Sequence, residues 1–141
     1  MKNNQNVLSI LKEKNPSQVI VIGGECSVSL TPFKYMIEKY GSDKVGMIWF
    51  YAHPDILVPE DLKDIDRGFS EMPISYIMGL KGCDPEIMKI FNEKGNLDPS
   101  KFAYVGLRSV QPIHEQRIKQ LNLPNFSVEG FRANPEKIWW M

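Results

Sequence analysis

Three short runs rich in β-branched and aromatic residues constrain this chain more than any other feature. They fall at 18–22 (Gln-Val-Ile-Val-Ile), 45–50 (Val-Gly-Met-Ile-Trp-Phe) and 102–107 (Phe-Ala-Tyr-Val-Gly-Leu). A run that is apolar on both faces suits a strand buried in a parallel sheet, not one that is wet on one side. A shorter run at 126–128 predicts a fourth strand. The stretches between carry helical spacing. Val7, Ile10 and Leu11 place an apolar stripe on a helix over 5–14, and Asn15-Pro16 ends it, because proline disfavours the α conformation in the residue before it. A second helix is predicted over 27–40, closed by Gly41, with Pro32 as an alternative first turn. Further helices are predicted at 73–80, 84–92 and 112–121, with another start at Asn134-Pro135-Glu136. Asp84-Pro85 supplies an N-cap and a proline at the first helical position. Strands alternating with helices imply a wound α/β fold with a parallel sheet.

Composition narrows the function classes. The chain has 141 residues, 43% hydrophobic and 24% charged, which fits one domain with a real core. Lys plus Arg and Asp plus Glu both number 17, so a broad electrostatic attraction to nucleic acid or an anionic membrane is not expected. No apolar run approaches the ~20 residues of a membrane span, and 1–14 lacks the apolar block of a signal peptide. Two cysteines, Cys26 and Cys83, do not make a disulfide framework. The expected setting is cytoplasmic and reduced.

In parallel α/β sheets, ligands sit beyond the carboxyl ends of the strands. That rule selects 23–27, 51–55 and 108–111. In Tyr51-Ala52-His53-Pro54-Asp55, extended chain would turn residues 51, 53 and 55 to one side. An imidazole and a carboxylate would then leave the end of a central strand together, facing the glycine turn that carries Cys26, in a pairing suited to a divalent cation. The alternative is a loop with a surface histidine and an aspartate used in a turn. In Gly23-Gly24-Glu25-Cys26-Ser27, the glycines permit a sharp turn and Ser27 could cap the next helix. Cys26 reads as a soft metal ligand, a nucleophile or, most commonly for a free cysteine, a buried small hydrophobe. A phosphate site is a weaker reading, since neither the dinucleotide fingerprint nor a Walker lysine is present. Asp64-Ile65-Asp66 reads as a solvated acidic turn. The helix at 112–121, with His114, Glu115, Arg117 and Lys119, reads as a solvated face.

Three segments together resemble the arginase/agmatinase, or ureohydrolase, family. Residues 19–30 (Val-Ile-Val-Ile-Gly-Gly-Glu-Cys-Ser-Val-Ser-Leu) are similar to its Gly-Gly-Asp-His-Ser segment, where some bacterial members carry Cys for His. Residues 47–55 (Met-Ile-Trp-Phe-Tyr-Ala-His-Pro-Asp) resemble its Asp-Ala-His-x-Asp motif, and 102–108 (Phe-Ala-Tyr-Val-Gly-Leu-Arg) a later strand ending in Ile-Gly-Leu-Arg. Their order and spacing agree, with the Met72-Pro73 helix start between them.

The resemblance implies a three-layer α/β/α fold with a parallel sheet, incomplete here. It also implies two manganese ions bridged by a hydroxide that attacks a guanidinium carbon, releasing urea or a urea-like product. Lowering the pKa of bound water is what such metals contribute. By position, His53 and Asp55 match metal ligands, with Cys26 where most members have a ligand histidine. The departures are Tyr51 for a ligand aspartate, Glu25 for an aspartate, no histidine ahead of Met72-Pro73, and no Asp-x-Asp pair on a later strand. These imply an incomplete manganese site or none, and a fragment, a truncated product or a pseudoenzyme; no catalytic residue is assigned. The expected partners are a small guanidino compound and further copies of the chain as a homo-oligomer. Trp139-Trp140 is the apolar end such a piece would expose.

Overall fold

Helical spacing at the N-terminus is realised as α1, Lys2–Lys14. The structure, a computed structural model, describes residues 2–62, 68–92 and 94–133. Asn15 ends α1 with a left-handed backbone (φ 47°) and its amide on the Leu11 carbonyl at 2.8 Å. Asparagine is among the few residues that tolerate this conformation. After a short 3₁₀ turn at Cys26–Ser29, α2 runs over Leu30–Tyr40 with Pro32 in its first turn, and Gly41 (φ 91°) closes it. Helix α2 buries Leu30, Phe33, Tyr35 and Ile37 and packs on α1. Glu38 accepts Lys12 at 2.7 Å and Lys34 at 2.8 Å. The Tyr35 hydroxyl and the Lys39 ammonium donate to the Pro16 carbonyl at 2.7 and 2.6 Å, tying the inter-helix turn to α2.

Helix α3, Pro73–Met78, is buried at every position, and α4 spans Pro85–Asn92. The Asp84 carboxylate caps α4 by accepting the amides of Glu86 at 2.8 Å and Ile87 at 3.3 Å, as the sequence predicts. Gly79 closes α3 in the left-handed conformation (φ 66°), and a Cβ there would run into the Asn96 side chain. Gly79→Ala therefore meets both a backbone and a steric penalty, and an expected loss of about 1–2 kcal/mol would show as a lower urea midpoint. These four helices belong to one compact unit, Met1–Val45 with Asp55–Leu97.

The second unit, Gly46–Pro54 with Asp98–Met141, holds the sheet. Strands β1 (Met47–Phe50), β2 (Phe102–Leu107) and β3 (Asn125–Ser127) are all parallel, in the order β1-β2-β3. Helix α5, Pro112–Gln120, connects β2 to β3, and α6, Val128–Ala133, follows β3. Strand β2 is the centre, burying Phe102, Tyr104, Val105 and Leu107. The β2 run was legible to the residue, whereas α6 was not foreseen.

Two strand expectations are overturned. Residues 18–22 form no strand, and Ile20 and Ile22 are 91% and 96% exposed. A β-branched run acquires strand geometry only with a hydrogen-bonding neighbour, and none of the three described strands pairs with it. Nor is 45–50 an interior strand. Within it β1 is an edge strand with one described neighbour, and Ile48 and Phe50 are 55% and 65% exposed. The start at 134–136, Asp64-Ile65-Asp66 and Trp139-Trp140 lie outside the described residues.

Candidate metal centre

Within the helical unit the structure joins two of the expected ligands. The Cys26 thiol hydrogen-bonds the Asp55 carboxyl. Cys26 opens the 3₁₀ turn before α2, where its carbonyl accepts the Ser29 hydroxyl at 2.7 Å. The expected Ser27 cap is absent, because its hydroxyl donates instead to the Glu25 carboxylate. Neither Gly23 nor Gly24 adopts a positive φ, so the turn does not draw on the conformational freedom that glycine offers.

Asp55 does use a left-handed backbone (φ 48°), and its carbonyl accepts the Ile74 amide at 3.0 Å, at the start of α3. Nearby, the Leu57 amide reaches the Glu71 carbonyl at 3.0 Å. Asp55 is only 3% exposed, and its Oδ2 has no hydrogen-bond partner among the described residues. Burial pushes its pKa up to about 7; the Cys26 thiol opposes the rise, and the charges of Glu71 and Glu25 add to it.

In the sheet unit, the rings of Trp49, Tyr51 and His53 follow one another edge to face. The Trp49 and Tyr51 centroids are 6.3 Å apart and those of Tyr51 and His53 5.1 Å apart. Alternation thus extends from β1 as far as His53, with Tyr51 and His53 exposed. It breaks before Asp55, whose left-handed backbone cannot continue an extended strand. The expectation that 51, 53 and 55 turn to one side is corrected on that ground. Among the described residues, no three His, Cys, Asp or Glu side chains gather as metal donors.

The loop after β2 sits against the loop after β1. The Arg108 and Ser109 amides donate to the Ala52 carbonyl at 3.1 and 3.0 Å. His114, read from sequence as part of a solvated face, is instead 3% exposed. Its Nδ1 accepts the Gln111 amide at 3.0 Å, and the Gln111 side chain caps the His114 amide in return. The signal for this was a glutamine three positions ahead of the histidine with proline between, the spacing of a reciprocal capping box.

The model of the arginase family matches residues 2–138, almost the whole chain. The chain belongs to the arginase family. Among its relatives, arginase of Saccharomyces cerevisiae is 30% identical over 110 residues, spanning 77% of this chain and 32% of that protein. Arginase of Coccidioides immitis is 32% identical over 116 residues, spanning 78% of this chain and 35% of that one. The chain therefore covers about a third of the length of these relatives. The crystal structure of Glaciozyma antarctica arginase aligns with a TM-score of 0.75 at 22% identity, covering 94% of this chain and 46% of that one. Bacillus caldovelox arginase aligns at 0.77 and 17% identity, covering 93% and 42%. At that identity the likeness is one of fold: an arginase-type α/β fold present in part, with a parallel sheet. The family is metal-dependent. No described helix is long and apolar enough to cross a membrane.

Proposed function

We propose that this arginase-family chain derives from a manganese-dependent ureohydrolase, an enzyme that hydrolyses a guanidino C–N bond to release urea or a urea-like product, and that by itself it has weak or no activity. The observation that carries this reading is the contact between half-buried Cys26 and buried Asp55 at the family-matched positions. A buried carboxylate oxygen without a partner is what a cation would satisfy, whereas a thiol beside it favours zinc or iron over manganese. Tyr51 offers a neutral phenol where the family's ligand is a carboxylate. The residues present therefore do not fit a two-manganese centre, and no hydrolytic step is assigned to them. His53, Asp55 and Cys26 stand, by position, as the proposed metal ligands, and a small guanidino compound as the proposed ligand.

The test is direct. The chain is equilibrated with manganese and desalted, bound metal is counted, and urea release from arginine and agmatine is assayed. The expected result is less than one manganese per chain and no urea above the metal-free background; two retained ions with urea release would overturn it. Cys26→His removes the soft donor and is expected to raise manganese affinity about tenfold or more in a competition titration.

A second reading, a non-catalytic assembly protein that forms homo-oligomers, is favoured by the bare Ile20, Ile22, Ile48 and Phe50 side chains. Sedimentation showing a monomer at all concentrations would remove it.

A further inference from the structure

The sheet unit contains a cleft of about 470 Å³ that holds none of the proposed metal ligands. It lies at the carboxyl ends of the parallel strands, the place where such sheets take ligands. Its walls come from the end of β1 (Phe50 and Tyr51), the end of β2 (Arg108) and α6 after β3 (Phe131 and Arg132).

Gly106 lies on its lining at a break in the β2–β3 register between Val105 and Leu107, with φ 85°. Such an irregularity re-aims neighbouring groups and is over-represented beside functional sites. A glycine there also leaves the cleft unobstructed by a side chain. The walls are largely apolar, with Phe50, Tyr51 and Phe131 supplying rings, and Arg108 and Arg132 line the same cleft. Neither Arg108 nor Arg132 has an ion-pair partner among the described residues.

We propose that this cleft binds a small organic anion with an apolar body, an aryl or branched alkyl carboxylate. The argument is charge complementarity joined to shape. Guanidinium is planar, always charged, and matches a carboxylate with two parallel hydrogen bonds. Phe50, Tyr51 and Phe131 offer ring surfaces to the rest of the ligand. A cleft of this volume is within the range of small-molecule sites. A guanidinium or ammonium ligand would meet like charge at both arginines. The proposal does not depend on the ureohydrolase reading, since it uses neither Cys26 nor Asp55.

The experiment is a calorimetric titration of the full chain with 3-phenylpropionate, its neutral amide 3-phenylpropionamide and the cation phenethylammonium. The acid is expected to bind with a Kd on the order of millimolar, and the amide and cation at least about fivefold more weakly. Arg132→Gln and Arg108→Gln are each expected to weaken the acid about three- to fivefold. Both residues are exposed, so these variants keep the thermal unfolding midpoint, which is checked alongside. Lys89→Gln, an exposed cation of the helical unit, is expected to leave binding unchanged. Equal binding of acid and amide, no effect of either arginine variant, or an equal loss with Lys89→Gln would each overturn the proposal.

Discussion

Tyr104→Ala is expected to lower stability by about 4 kcal/mol, a large share of the roughly 5–15 kcal/mol that holds an ordinary domain folded. Tyr104 has no exposed surface and sits at the middle of β2. Its ring meets that of Phe102 at 4.5 Å and 82°, an edge-to-face pair. Its hydroxyl donates to the Pro54 carbonyl at 2.7 Å. Its backbone amide takes the Pro124 carbonyl at 2.8 Å, just before β3. The substitution thus removes a large buried ring and the partner of a buried carbonyl together. Tyr104→Phe separates the two effects. It keeps the ring, leaves the Pro54 carbonyl unmatched, and is expected to cost about 1–2 kcal/mol. Urea unfolding followed by far-ultraviolet circular dichroism measures both; a loss under about 1 kcal/mol for the alanine variant would show that β2 is not the centre of its unit.

Strand β2 was legible because its neighbours are present. Every register partner from Met47↔Phe102 to Leu107↔Ser127 lies within the described residues, so local propensity and tertiary environment agree. The run at 18–22 has the same propensity and no described partner, and propensity alone did not make it a strand. Strand β1 falls between these cases, with one described neighbour and with Ile48 and Phe50 bare. The family assignment does not need 45–50 to be a central strand, and among the described strands it is an edge. The assignment holds on the match over residues 2–138 and on the fold likeness.

At the site, alternation reached His53 and stopped, because a left-handed Asp55 cannot be seen from residue types that also occur in extended chain. The Cys26–Asp55 contact joins residues 29 positions apart, and the expectation that the carboxylate faces the turn carrying Cys26 anticipates it, although not by the extended backbone on which that expectation relied. His114 was missed for the opposite reason. Charged neighbours on α5 suggested a wet face, while a local capping pattern that sequence does carry went unused.

Asp55 gives the chain an unusual pH dependence. Its folded pKa of about 7 lies above the ordinary 3.8 of an unfolded aspartate, because burial away from water penalises the charged form. The Cys26 thiol partly relieves that penalty, and the facing Glu71 and Glu25 deepen it. Below the unfolded value both states hold the proton and the group contributes nothing. As pH rises from about 4 to about 7 the unfolded chain releases its proton while the folded chain keeps it, so stability falls through that window and is flat above it. The full shift would amount to about 4 kcal/mol, and relaxation of the surroundings as the carboxyl ionises reduces the expected loss to about 2 kcal/mol. Glu38 works the other way. Burial raises its pKa, but Lys12 and Lys34 together bring it below the ordinary range, so its contribution is lost only as pH falls further into acid. The two effects therefore occupy separate windows. Asp55→Asn carries no charge to desolvate, keeps an oxygen for the Cys26 thiol, and accepts the left-handed backbone. In a chelating buffer, urea unfolding from pH 4 to 8 is expected to show a falling midpoint for the parent chain. The Asp55→Asn variant should give a nearly level midpoint, about 2 kcal/mol more stable than the parent at pH 8. A parent chain whose stability rises across that range would mean that Asp55 is ionised in the fold and already holds a cationic partner.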